Sequence, residues 1–110
     1  VTKVNQEVSE ITSTIDEVVH QRTRLGILTV LHEGRKADFG YLQEALGLTG
    51  GNLSQHLSVL EKSGLIRIEK GYEGRRTRTW VTSTRAGSKA LRDEVTALKA
   101  LVARIERSGK

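Results

Sequence analysis

Cysteine is absent from these 110 residues, which excludes disulfides, thiolate metal sites and redox sensing through a thiol. Proline is absent too, and no low-complexity or Pro-rich linker divides the chain. Aromatic residues make up only 4%, so the core must come from Leu, Ile and Val within a hydrophobic fraction of 36%. No apolar run approaches the ~20 residues of a membrane span, and the opening residues show no signal-peptide pattern. The expectation is a soluble, cytoplasmic protein. A chain this short buries a modest share of its surface, so burial by self-association would help it. Positive charge is what it has in excess. The 18 Lys and Arg outweigh 13 Asp and Glu, for a net charge of +5. That favours a polyanionic partner, although charge alone does not separate nucleic acid from an anionic membrane.

The patterning predicts one domain in three stretches: an N-terminal helix over 1–19, a core of short elements over 20–83, and a C-terminal helix over 84–110. In the first, Val1, Val4, Val8, Ile11, Ile15 and Val18 recur at alternating intervals of three and four. Leu91, Val95, Leu98, Val102 and Ile105 repeat the pattern near the other end, with Arg92, Asp93, Glu94 and Lys99 on the remaining faces. Such a narrow stripe is the seam of a helix pair. The residues from Val4 to Ile15 and from Leu91 to Ile105 are therefore expected to hold a homodimer; packing on the chain's own core is the simpler alternative.

Between the stripes, Leu25, Ile27, Leu28 and Leu31 predict a helix that stops at Gly34 in a left-handed end position. Asp38 reads as the N-cap of a short helix with Phe39, Leu42 and Leu46 inward and Gly47 at its end. Thr49 can cap a third, with Leu53, Leu57 and Leu60 on its buried face and Gly64 closing it. Residues 65–70 alternate partly, as an exposed strand does. A turn over 72–76 and a returning strand over 77–82 around Trp80 complete a hairpin, and Thr84 caps the last helix. The fold class is mainly α with a small β-hairpin wing.

Two short helices joined by a tight turn, with a basic hairpin after them, carry the functional signal. A helix is narrow enough to enter the DNA major groove and bring side chains to base edges. With the leucines inward, Gly51, Gln55, Ser58 and Lys62 lie opposite, flanked by Asn52 and Ser54. Gln and Asn can pair bidentately with adenine, and Ser can bond bases or phosphates. Gly50 and Gly51 leave backbone N–H groups free to approach a phosphate. Arg75, Arg76 and Arg78 cluster at the hairpin, with Lys70 at its approach, and are expected to meet phosphates or the minor groove.

These residues resemble the winged-helix transcription regulators of the MarR and ArsR type, in particular a compact MarR-like branch without a separate ligand domain. The matching stretches are 16–21, Thr23-Arg24-Leu25, Ala37-Asp38-Phe39 and Leu46-Gly47-Leu48-Thr49. The most specific is Gly51-Asn52-Leu53-Ser54-Gln55-His56-Leu57, running on through 60–65, Tyr72-Glu73-Gly74-Arg75-Arg76 and Thr82-Ser83-Thr84-Arg85-Ala86-Gly87. Together they cover about two-thirds of the chain in the expected order. The resemblance implies a homodimeric repressor on a pseudo-palindromic operator. The helix around Asn52, Ser54, Gln55 and Ser58 would sit in the major groove, with Arg75, Arg76 and Arg78 forming the wing. Many relatives carry Pro before the Thr-x-Arg pattern; here Arg22 stands there. Whether the N-terminal helix runs into the next is therefore open. Metal-sensing relatives use Cys or His clusters that this chain lacks.

No enzyme, cofactor or metal is expected. His20, His32 and His56 sit on separate elements without the spacing of a helical metal pair. Ser54 and His56, two apart on a helix, point away from each other. No helix follows Gly74-Arg75-Arg76 to make a phosphate-binding loop. The main rival is a winged helix used for protein–protein interaction. It calls for an apolar recognition face and an uncharged wing, whereas Asn, Ser, Gln and Arg occupy those places. Architectural DNA compaction would need basic charge spread over the surface, and the terminal stripes are flanked by acids as well as bases, which disfavours a membrane surface. The sequence identifies no small-molecule effector.

Overall fold

The computed structural model describes the backbone of residues 2–109 and the side chains of 6–109. In order, the elements are α1 (Thr2–Thr12), α2 (Arg22–Gly34), β1 (Lys36–Asp38), α3 (Phe39–Leu46), α4 (Gly50–Lys62), β2 (Ile66–Glu73), β3 (Arg76–Ser83) and α5 (Arg85–Ser108). The molecule is elongated, 63 Å by 24 Å by 23 Å.

The core is aliphatic. Ile27, Leu28 and Leu31 of α2 meet Leu42 of α3, Leu53, Leu57 and Leu60 of α4, and Ile66 and Val81 of the sheet, with Val19 and Leu91 closing the sides. Caps hold the helix starts where the sequence places them. The Asp38 carboxylate accepts from the Tyr41 N–H at 2.8 Å, and the Thr49 hydroxyl accepts from the Asn52 N–H at 3.1 Å. Gly47 ends α3 with φ 63°, a left-handed conformation that costs glycine nothing.

Four features depart from the sequence reading. The N-terminal helix ends at Thr12, not near Val19, because the Thr12, Ser13 and Thr14 hydroxyls bond back to the carbonyls of Ser9, Glu10 and Ile11. Ile15 and Val18 thus leave the helical stripe. The connector that follows is turned by Asp16, whose carboxylate accepts from the Val18 N–H, and α2 restarts behind Gln21, which caps the Arg24 N–H. No proline is needed for the break. Gly34 is the last residue of α2 rather than its left-handed end; Arg35 takes φ 68° instead. A third strand also forms: β1 pairs antiparallel with β3, Ala37 opposite Val81, giving the order β1-β3-β2. The hairpin is tighter than a five-residue turn, since Glu73 pairs with Arg76 and only Gly74 and Arg75 lie between them. Gly74, with φ 66°, occupies the first of those two places, where such turns favour glycine.

One joint fixes α5 to the end of α4. The Thr84 N–H donates to the Leu65 carbonyl at 3.0 Å, and its hydroxyl donates to the Gly64 carbonyl at 2.7 Å while accepting from the Gly87 N–H. Gly87 is buried directly against the Leu65 backbone. Among the described residues, no helix is long and apolar enough to cross a membrane.

Candidate nucleic-acid interface

The inward leucines of α4 dictate what its other side presents. Leu53, Leu57 and Leu60 are buried, so Gly51, Asn52, Ser54 and Gln55 are exposed, and Ser58 is half-buried at the edge. Gly50 and Gly51 form the first turn, where the backbone N–H groups carry the positive end of the helix dipole. Ser54 and Ser58 share a shallow groove with Ile68 and Thr79 of the sheet, which sets the wing immediately beside this polar face.

The wing divides its basic residues. Lys70, Arg75 and Arg76 are exposed, and among the described residues they form no ion pair. Arg78 differs. Its guanidinium is held by Asp38 at 3.2 Å and Glu73 at 3.1 Å, with Nε enclosed and unpartnered. Arg78, expected from the sequence to meet DNA, is thus engaged within the protein by two carboxylates, a contact that ties β3 to the start of α3. Trp80 on the same sheet face is covered by the Lys36 ammonium, 4.6 Å from the ring centroid.

Behind α4, Arg24 is a residue the sequence reading used only as part of a motif. Its Nε donates to the Val18 carbonyl at 2.6 Å, and another guanidinium nitrogen donates to His56 Nδ1 at 3.3 Å. Arginine has no acceptor, so His56 must be neutral at Nδ1. Burial, and then the Arg24 charge, push the His56 pKa below its ordinary value. His20 instead reaches across to Glu94 of α5, whose side chain is fully enclosed and whose Oε1 has no partner. His32 is exposed. Among the described residues, no three His, Asp or Glu side chains gather as a metal site.

The residues expected to form a dimer seam fall into three groups. Val4 lies outside the described side chains. Leu91 is corrected: it is buried in the chain's own core, next to the α2 and β3 residues, and is not available to a partner. Val8, Ile11, Ile15 and Leu98 are half-buried, whereas Val95, Val102 and Ile105 stand 43%, 53% and 61% exposed along α5. An ion pair from Arg104 to Glu7, at 2.6 Å, lays α1 along α5 beside that row.

Known proteins share this fold. The family model described as "Winged helix DNA-binding domain" matches residues 23–102. An uncharacterized protein of Methanocaldococcus jannaschii is 31% identical over 90 residues, 82% of this chain and 98% of its own. The solved structure of a transcriptional regulator homologue from Pyrococcus horikoshii OT3 is 35% identical, with a TM-score of 0.80 over 91% of this chain and 97% of that one. A protein from Enterococcus faecalis V583 assigned to the MarR family of transcriptional regulators is 26% identical, with a TM-score of 0.63 over 96% and 90%. With a family match spanning every element from α2 to most of α5, the chain belongs to the winged helix DNA-binding domain family, and its structural neighbours include MarR-family transcriptional regulators.

Proposed function

We propose that the chain is a sequence-specific, double-stranded-DNA-binding transcriptional repressor that works as a homodimer on a pseudo-palindromic operator. The observation that carries this reading is the polar face of α4: Asn52, Ser54 and Gln55 are exposed beside a wing that carries the exposed Lys70, Arg75 and Arg76. In this reading residues 20–83 are the DNA-binding core of one domain. Gln55 and Asn52 read base edges in the major groove, the Gly50–Gly51 backbone meets a phosphate, and Lys70, Arg75 and Arg76 neutralise the flanking backbone. The exposed Val95, Val102 and Ile105 row of α5 supplies the two-fold contact, together with Leu98 and part of α1. It sets two α4 helices about 34 Å apart, one turn of DNA.

The test is an anisotropy titration of a random duplex pool and of the gene's own upstream region at several salt concentrations. Tight binding of the upstream fragment by a dimer, with a steep salt slope, is the expected result. Replacing Gln55 with Ala should then cost about 1–3 kcal/mol on the operator and relax its sequence preference. Absence of binding to either duplex at low salt would replace this reading with a protein-interaction module.

A further inference from the structure

The sheet's two faces differ in what covers them. Ile68, Thr79 and Val81 turn toward the helices, where Ser54 and Ser58 of α4 share their groove. Side chains alternate along a strand with period two, and residues directly opposite in a ladder share a face. Lys36 stands opposite Thr82 and Asp38 opposite Trp80, so Lys36, Asp38 and Trp80 lie on the other face, away from α4. There a cleft of about 430 Å³ opens between the end of α2, the start of α3 and the sheet, lined by Val30, Glu33, Lys36, Asp38, Tyr41 and Trp80. The pyrrole edge of Trp80 rests against Gly71, where an added methyl would touch Cδ1 and Nε1 at 3.6 Å and 3.7 Å. Tyr41 is 58% exposed. Glu33, in the last turn of α2, is exposed and forms no ion pair among the described residues, and the helix's C-terminal end adds negative partial charge beside it.

We infer that this cleft binds a small organic cation, a free quaternary ammonium compound, which takes the place of the Lys36 ammonium on Trp80. The face of an aromatic ring attracts a cation through its quadrupole, most strongly in tryptophan. Lys36, 4.6 Å from the ring centroid, already uses the Trp80 face in this way, from an exposed position that it can vacate. The hydrogen-bond inventory selects the type of cation. A primary ammonium brings three donors that need acceptors once it leaves water. Asp38 has both oxygens engaged, one by the Tyr41 N–H and the other by Arg78. Among the described residues that line the cleft, that leaves the Glu33 carboxylate, which can balance one charge and cannot satisfy three donors. A quaternary ammonium has no donor and suits a cleft of two aromatic rings and one carboxylate. Arg35, between the lining residues Gly34 and Lys36, opposes a second positive charge, so the ligand is a monocation. The volume lies at the lower end of the range of about 300–1,000 Å³ for small-molecule sites. Because the cleft is across the sheet from α4, this assignment does not depend on what α4 binds.

Trp80 is the chain's single tryptophan, so tryptophan emission reports on this cleft alone. The full chain is titrated at constant ionic strength with choline, and separately with 3,3-dimethylbutan-1-ol, a neutral analogue of the same shape. Choline should change the emission saturably, with half-effect on the order of 1 mM. Its methyl proton resonances should move upfield as protein is added, as protons over a ring face do. The neutral alcohol should produce neither effect at about tenfold higher concentration, since it lacks the charge that the ring and Glu33 attract. Lys36→Met removes the competing cation and should tighten choline binding about fivefold, whereas Tyr41→Ala and Glu33→Gln should each weaken it about fivefold. All three positions are exposed, and an unchanged melting temperature for each variant ties these changes to binding. No saturable response to choline, an equal response to the alcohol, or weaker binding by Lys36→Met overturns the assignment. A trimethyl-lysine peptide that binds more than about tenfold tighter than choline also overturns it, by making the occupant a partner protein's side chain.

Discussion

Gly87→Ala separates two effects of opposite sign. Within a helix, alanine is favoured over glycine by about 1 kcal/mol, so propensity alone predicts stabilisation. The structure predicts the reverse. A methyl group at Gly87 would overlap the Leu65 carbonyl oxygen and lie 2.8 Å from the Ser83 hydroxyl and 3.0 Å from the Leu65 carbonyl carbon. Two of these neighbours are backbone atoms, and Leu65 O already accepts from the Thr84 N–H, so they cannot swing aside. Overpacking of a closed site costs about 1–3 kcal/mol, and stretching the Thr84–Leu65 bond removes about 1 kcal/mol more. Set against the propensity gain, the net loss is about 2 kcal/mol. For a chain of this length that corresponds to a melting temperature lower by about 10 °C. Far-UV circular dichroism at fixed protein concentration reads it, since dimer formation would make the transition concentration-dependent. Gly51→Ala is the control: a methyl there meets nothing within 4 Å, so its melting temperature should rise by a few degrees. A Gly87→Ala protein as stable as wild type would refute the close approach of α5 to the end of α4.

Arg76→Ala should weaken binding to every duplex and reduce the salt slope by about one. Arg78→Ala should leave that slope almost unchanged and lower stability by about 1 kcal/mol, because Asp38 and Glu73 lose their partner; salt titrations and melts of the two variants distinguish them. Val102→Asp should convert dimers to folded monomers and collapse operator affinity, and an unaltered mass in light scattering would eliminate the α5 seam. For His56, the folded pKa is depressed, so the unfolded chain takes up the proton first as pH falls. Its contribution is complete above about pH 6.5 and declines below it until the folded form also protonates. Denaturant melts of His56→Gln should show a weaker fall in stability over that window than wild type, and parallel curves would contradict the lowering of the His56 pKa by burial and by Arg24.

The helix-turn-helix was legible because its signals are local. Asp38, Thr49 and Thr84 are caps within one turn of the groups they satisfy, and the 53-57-60 leucines fix the outward face of α4. What the sequence concealed depends on distant parts of the chain. β1 spans three residues, too few to show a period, and exists because β3 offers it a ladder. The same three-four spacing runs through Leu91 and Val102, but only the fold puts the first against α2 and leaves the second bare. The arginines at 76 and 78 read alike until Asp38, forty residues earlier in the chain than Arg78, claims one of them. Glu94 looked like a solvated charge on the outer face of the last helix, and it is enclosed beneath His20. The break after Thr12 was visible as a run of hydroxyl residues, yet the apolar spacing across it outweighed that signal.

The clasp between Thr84 and the Gly64–Leu65 turn couples the start of α5 to the end of α4 like the joint of a crank. At 24 residues, α5 is about 36 Å long. If two copies are joined along that arm, a swing of about 5° in how the arms cross displaces the far end by about 3 Å, the length of a hydrogen bond. The base-reading tips could then fall out of step with the DNA repeat without any rearrangement in α4, so the angle between the arms would act as the gear that engages or releases the operator.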